Sequence, residues 1–397
     1  MKAFLSSKTR DIKMPQENLT FIRRKKWLLL IPLVMLGILC LFAGKIYFST
    51  AKESFIDTSS LPSTLIDMHI HTAGLGFKGS GCFISEKMQH SYKFSIYLDA
   101  FETSVSDLKH HGDAIVIQKL AQQISNAKYV THGVVLALDG VMTEEGILDR
   151  QNTQVYIPNS FVGRELRNYP QLLFGASINP YRQDWREQLQ EAVDHQAKLI
   201  KWIPSIQWID PADPKIIPFY KELIRHQLPL LSHTGAENAF DRAKNELADP
   251  MRLQLPLTLG VTVIAAHVAT TGMNEGEPDI QRLLRIVNRY PNIYADISSL
   301  TQINKFFFWD QVFGFEPLKE RLIYGSDFPL NNTILVSPLH RFFRIPSGQI
   351  KTILNEPNPF DRDILYKLAM KIPPKIFTQT SRLISIENRA PINNMTQ

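Results

Sequence analysis

The chain has 397 residues, 44% of them hydrophobic and 21% charged, which fits a globular protein of one large or two ordinary domains and excludes a disordered one. Its formal charge of +6 is confined to the start: residues 1–26 hold eight Lys and Arg against Asp11 and Glu17, so residues 27–397 sum to zero. A neutral body behind a basic tail excludes a nucleic-acid groove as the origin of the charge, and no nucleic-acid partner is expected.

After the basic tail (1–26), residues 27–48 form an apolar run whose only charge is Lys45. At 1.5 Å per residue a helix of this length spans about 30 Å, one hydrocarbon thickness. Trp27 and Tyr47 stand at its ends, where interfacial aromatics belong, and Arg23-Arg24-Lys25-Lys26 precedes it. The expectation is a single-pass signal anchor with a cytoplasmic N-terminus and the remaining chain on the extracytoplasmic (periplasmic) side. A cleaved signal peptide, with Ser49-Thr50-Ala51 as the small-residue site, is the alternative. The two cysteines, Cys40 within the run and Cys82 beyond it, do not make a disulfide framework.

Residues 49–61 read as a polar linker, 62–385 as the folded domain and 386–397 as a polar tail. Within the domain, β-type runs fall at 64–71, 129–138, 172–178, 197–204, 228–234, 261–268, 293–298 and 321–328. Helix-type patterns lie at 182–196, 215–227, 241–254, 279–290 and 361–371. Strands alternating with helices imply right-handed crossovers and a parallel sheet. Eight of them match the (β/α)8 TIM barrel; a doubly wound open sheet is the rival, but no G-x-G-x-x-G follows a strand. The long connections 72–128 and 139–171 are expected to build the substrate mouth.

Ionisable residues gather at the predicted strand ends. His69 and His71 end the first strand, Lys201 lies late in the fourth, His233 ends the fifth, His267 the sixth and Asp327 the eighth. In a barrel these ends converge on one mouth, and imidazole with carboxylate is a zinc-type ligand set. On an ideal strand Asp67 would share a face with His69 and His71, falling in a lower layer as an orienting or structural carboxylate. A lone His on an apolar strand is ordinarily packing; four with an Asp, all at strand ends, are a metal site. Lys201 reads as a structural ion pair, a substrate clamp or a carboxylated bridge between two metals. Asp296 and Asp139 either line the mouth or cap the next element. Trp202 and Trp208 are candidate pocket walls, Trp202 with Lys201 a candidate substrate contact, although plain packing is the commoner role.

The D-x-H-x-H of the first strand, the histidines of strands five and six and the G-S-D-x-P of strand eight resemble the amidohydrolase superfamily, in particular its amidohydrolase-related branch of hydrolases, lactonases, hydratases and decarboxylases. The likeness runs over about residues 62–385. It implies that His69, His71 and His233 are metal ligands, that His267 binds a second metal or polarises the substrate, and that Asp327 is both ligand and proton acceptor. It further implies a divalent metal, zinc foremost, as one ion or two, and hydrolysis of a small amide, ester or lactone. A lyase (decarboxylase or hydratase) on the same barrel is the alternative, for which Arg164 or Arg182 would hold a substrate carboxylate; a membrane-tethered binding protein is the third. Expected partners are a small-molecule substrate and, through residues 27–48, the lipid bilayer; homodimerisation stays open.

Overall fold

Eight short strands, each followed by a crossover, pair in chain order into one parallel sheet. They are β1 (Ile66–His71), β2 (His132–Leu136), β3 (Leu172–Ala176), β4 (Leu199–Trp202), β5 (Leu230–His233), β6 (Val263–Ala266), β7 (Ile293–Asp296) and β8 (Leu322–Ile323). They come from a computed structural model that describes residues 44–46 and 49–384. The basic tail, nearly all of the expected membrane span and the tail 386–397 lie outside the described residues, among which no helix is long and apolar enough to cross a membrane.

The sheet curls. The segment after β8 returns to β1, where Ile70 bridges Phe328 in parallel and the N–H groups of Asp327 and His71 donate to the carbonyls of His69 (2.9 Å) and Phe328 (2.8 Å). Val, Ile and Leu fill both faces, as a parallel sheet covered on both sides requires. On the concave face Ile66, Met68, Val134, Leu199, Leu231 and Ile264 form one buried cluster. On the convex face Ile70, Ile200, Trp202, Leu230 and Val263 pack in a second cluster with the crossover helices. Each such aliphatic contributes about 1.5–3 kcal/mol when buried.

The helices Trp185–Asp194, Ile217–Arg225, Asp279–Arg289 and Pro359–Ala369 fall where the apolar spacing predicts. The expected helix at 241–254 does not form. Two 3-10 turns, Asn245–Ala248 and Pro250–Leu253, precede a helix at Gln254–Leu259 instead. Pro250 explains the break: it supplies no N–H and restricts Asp249 to extended backbone, while suiting the first position of a turn.

The two long connections meet, since Phe83–Ile84 pairs antiparallel with Val155–Tyr156. The helix Tyr92–Ala100 lies near the loop after β5, with Lys93 Nζ donating to Asn238 O (2.9 Å). Residues 49–55 are also docked rather than free. Thr50 and Glu53 close a capping box on a one-turn helix, Ala51–Ser54, and Thr352 and Gln349 donate to the carbonyls of Ser54 (2.9 Å) and Phe55 (2.8 Å). A Cβ at Gly348 would stand 2.5 Å from the Glu53 carbonyl carbon, so glycine is what permits this contact.

Candidate metal centre

The strand-one histidines reach the centre through a bulge. The β1–β2 register shifts between Asp67 and Ile70, so the regular alternation fails there. Ile66 and Met68 face the concave cluster, and His69 and His71 then both turn inward while Ile70 joins the convex side. Asp67 therefore does not share their face. Its Oδ1 accepts from the N–H groups of His69 and Ser326, each at 3.0 Å, which ties the bulge to the segment after β8. Burial pushes the Asp67 carboxyl up to about 7, and its role is structural. Gly325 makes room for the bulge, because a Cβ there would lie 2.8 Å from the Cβ of His69.

His69 is held by a carboxylate. Its Nδ1 lies 2.8 Å from Asp296 Oδ2. Burial acts to raise the Asp296 carboxyl, but the neighbouring His69 and His267 and hydrogen bonds from His69 and Ser298 hold it below the usual carboxylate range. A carboxylate only accepts, so Nδ1 carries the proton and Nε2 keeps its lone pair. Around that lone pair stand His71 Nε2 at 3.2 Å, Asp327 Oδ1 at 3.6 Å and Lys201 Nζ at 2.9 Å. Asp327 Oδ1 is also 3.3 Å from His71 Nε2. Burial holds His71 down near 4 against the pull of Asp327, so at neutral pH it is an uncharged ligand. Asp327 lies near 2, since the hydrogen bond from His71 and the nearby His69 and Lys305 outweigh its burial.

The histidines of β5 and β6 complete the cluster. The His267 ring stacks on His69 with centroids 5.1 Å apart and meets His233 edge-on at 4.9 Å. Its backbone N–H donates to Asp296 Oδ1 (2.9 Å) and its Nδ1 lies 2.8 and 3.0 Å from the hydroxyls of Ser298 and Ser299. His233 Nε2 is buried with no hydrogen-bond partner, an orphan that a cation would satisfy. The backbone is left-handed at His267, Val268 and Ala269 (φ 60°, 53° and 49°) and at Asp327 (φ 64°). Three such non-glycine residues in a row, one β-branched, cost about 1–2 kcal/mol each and mark a site where position outweighs comfort.

The ligand atoms of His69, His71 and Asp327 all lie within 4.8 Å of one another. Two imidazoles, a carboxylate and a fixed tautomer make a donor set that fits a divalent cation. His233, His267 and Lys201 border the same point. Burial brings the Lys201 ammonium down to about 8, against the pull of Asp296 and Asp327.

Other sequence candidates stand elsewhere. Trp202 follows Lys201 by one residue and so points to the opposite face: it stacks on Phe219 at 5.6 Å and donates its indole N–H to Ile178 O. It is core, not substrate contact. Trp208 donates to Arg242 O and lies under Lys244. Arg182 is committed to Asp139 (3.1 Å) and Asp184 (2.8 Å), and Arg164 to its neighbour Glu165; neither is free to hold a substrate carboxylate. Cys82 is buried, its thiol pushed up to about 12 by that burial.

Two groups escaped the sequence reading of the site, and a third, Asp296, expected to line the mouth or cap the next element, orients His69 and His267. Lys305 is buried on the 3-10 helix Ile303–Phe308 and donates to Ser299 Oγ at 2.5 Å, its ammonium brought down to about 8 by burial. Glu237 follows His233 by four residues; burial raises its carboxyl above the usual range. Lys305 sits in a short 3-10 helix, Ile303–Phe308, and Glu237 in irregular backbone, where apolar periodicity carries no signal.

A curled parallel α/β sheet carries, at its strand ends, a His/His/Asp donor set of the kind that could hold a metal ion. The chain belongs to the amidohydrolase family, whose model matches residues 66–346, a span that contains every residue of the centre. Similar solved structures include an uncharacterised TIM-barrel protein from Bordetella bronchiseptica (15% identity, TM-score 0.48, covering 77% of this chain and 99% of that one). Another is a 5-carboxyvanillate decarboxylase from Novosphingobium aromaticivorans complexed with manganese (13%, TM-score 0.43, 84% and 99%). A third is 4-oxalomesaconate hydratase from Rhodopseudomonas palustris (13%, TM-score 0.42, 81% and 97%). No curated protein matches this chain in sequence.

Proposed function

We propose that this chain is a zinc-dependent hydrolase on a complete (β/α)8 barrel, cleaving a small amide, ester or lactone. The observation that carries the reading is the fixed tautomer of His69: Asp296 accepts a hydrogen bond from its Nδ1–H, which leaves the Nε2 lone pair beside His71 Nε2 and Asp327 Oδ1. His69, His71, His233 and Asp327 would hold the ion, with Lys201 at its edge. A divalent cation there supplies a Lewis acid that polarises a carbonyl and lowers the pKa of water.

The side chains then divide the remaining work. Asp327 is ionised throughout the neutral range and takes the proton of the attacking water. Ser298 gives its hydroxyl hydrogen to Asp296, so its oxygen, like the Ser298 carbonyl at 3.4 Å, accepts from His267 Nδ1. That leaves the lone pair of His267 on Nε2, where it would help to hold a second ion. Lys201 would clamp the substrate or, once carboxylated, help to hold a second ion. Residues 27–48 would tether the domain outside the cytoplasmic membrane.

A lyase reading draws support from one observation. Among the described residues Lys305 has no carboxylate within ion-pair distance, and a buried ammonium of that kind suits a substrate carboxylate. The test is turnover of the full chain on an amide, ester and lactone panel beside unsaturated and aromatic carboxylates. Hydrolysis that a chelator abolishes and zinc restores is the expected result; CO2 release or hydration products would favour the lyase, and no turnover of either kind with metal bound would refute both.

A further inference from the structure

Large apolar side chains stand exposed on two segments that follow the C-terminal ends of β7 and β8. Phe307 is 83% exposed, Ile334 81% and Phe343 88%, and Ile303, Leu335 and Leu339 are exposed beside them. The two segments are one surface: Ile303 N–H donates to Leu335 O (3.1 Å), and the Arg341 guanidinium of the second lies 4.0 Å from the Phe306 ring of the first. Buried Arg341 and half-buried Phe306 join the two segments beneath these exposed neighbours. Water gives such a grouping no compensation, so it needs an occupant.

The chain itself points to which one. The segment Pro338–Arg341 packs on the helix Ser347–Leu354, and that helix carries the docked residues 51–55. Thr50 caps this dock, only two residues beyond the apolar run 27–48. Whatever takes up that run is thereby held within a few residues of the exposed surface, with no slack linker between them. A run of 22 apolar residues with one charge belongs in a bilayer, and a tether this short raises the effective concentration of lipid at the neighbouring surface.

We propose that the surface made by Ile303, Phe307, Ile334, Leu335, Leu339 and Phe343 rests on the lipid bilayer. Bulky apolar side chains seated at the headgroup boundary, with Arg344 at their edge, are the composition of an interfacial contact. The proposal does not depend on which reaction the centre performs.

The test uses the full chain with Cys40→Ser, reconstituted in phosphatidylcholine–phosphatidylglycerol vesicles. An environment-sensitive fluorophore is placed on Phe307→Cys or Phe343→Cys, with Ile224→Cys as control. Ile224 is exposed on the helix that leads into the opposite end of β5. Probes at 307 and 343 are expected to shift to the blue and to be quenched about two-fold or more by nitroxide lipids, as groups about 5–10 Å into the headgroup boundary are; the probe at 224 is expected to do neither. Three results overturn the proposal. One is a water-exposed spectrum at 307 and 343. A second is a blue shift that grows with protein-to-lipid ratio without nitroxide quenching, which makes a second copy the occupant. The third is a chain that alkaline carbonate strips from the vesicles.

Discussion

The two halves of the same eight strands are built on opposite principles. In the lower concave half, Ile66, Met68, Val134, Leu199, Leu231 and Ile264 present only hydrocarbon. A residue or two further along, the inward positions become His69, His71, Lys201, His233, His267 and Asp327, all but His71 nearly fully buried. Burying hydrocarbon stabilises a fold; burying ionisable groups costs stability unless each is paired. The left-handed backbone at His267–Ala269 and the buried His233 Nε2, which makes no hydrogen bond, show that the upper half holds arrangements a stability-optimised core would discard.

Substitutions that separate the halves sharpen this contrast. Asp327→Asn should lower turnover by about 10²–10⁴-fold, the usual loss on removing a general base, and leave the urea midpoint nearly unmoved. Leu231→Ala, two residues before His233 on the same face, should instead cost about 2–5 kcal/mol in urea unfolding with metal content unchanged. Asp296→Asn frees the tautomer of His69 and should weaken metal binding about 10–100-fold, the range for outer carboxylate partners, as titration with zinc would read. Were Leu231→Ala to lose metal before stability, the division into halves would fail.

The smallest expected effect concerns pH. Lys305 ionises near 8 when folded, below its ordinary value of 10.5. Between those values the unfolded chain binds more protons, so this group makes stability rise with pH across the window. Lys305→Met should therefore lose a rise on the order of 1 kcal/mol between pH 8 and 10, measured as the difference between the two unfolding profiles. Equal slopes in the two proteins would mean that Lys305 is not held as a desolvated cation.

The sheet was legible because buried parallel strands leave uninterrupted apolar runs, and the strand-end histidines stood out against them. Which face a side chain takes was less so. One bulge in β1 sends Asp67 outward and both histidines inward, and an even spacing conceals it. Trp202 was misplaced for a related reason: one residue along a strand reverses direction. The helix expected at 241–254 failed at Asp249-Pro250, where local chemistry overrides periodicity. Lys305 and Glu237 lie on short or irregular segments whose course is set by packing across the fold. Polar composition at 49–61 suggested slack, yet specific hydrogen bonds to Gln349 and Thr352 dock its first part.

The central claim is that the upper half of the strands binds metal through the free Nε2 of His69. Lys201 Nζ competes for that lone pair at 2.9 Å, so metal content in paired variants is the most direct test. The full chain, purified and equilibrated with zinc, should carry at least one ion per chain by elemental analysis. His69→Ala should lose it while keeping the cooperative unfolding of the wild type. Lys201→Met should keep one ion, bound more tightly once the amine is gone, unless a carboxylated Lys201 bridges a second ion that is then lost. Metal retained at the wild-type level in His69→Ala, or no metal in the wild type after zinc loading, would contradict the account.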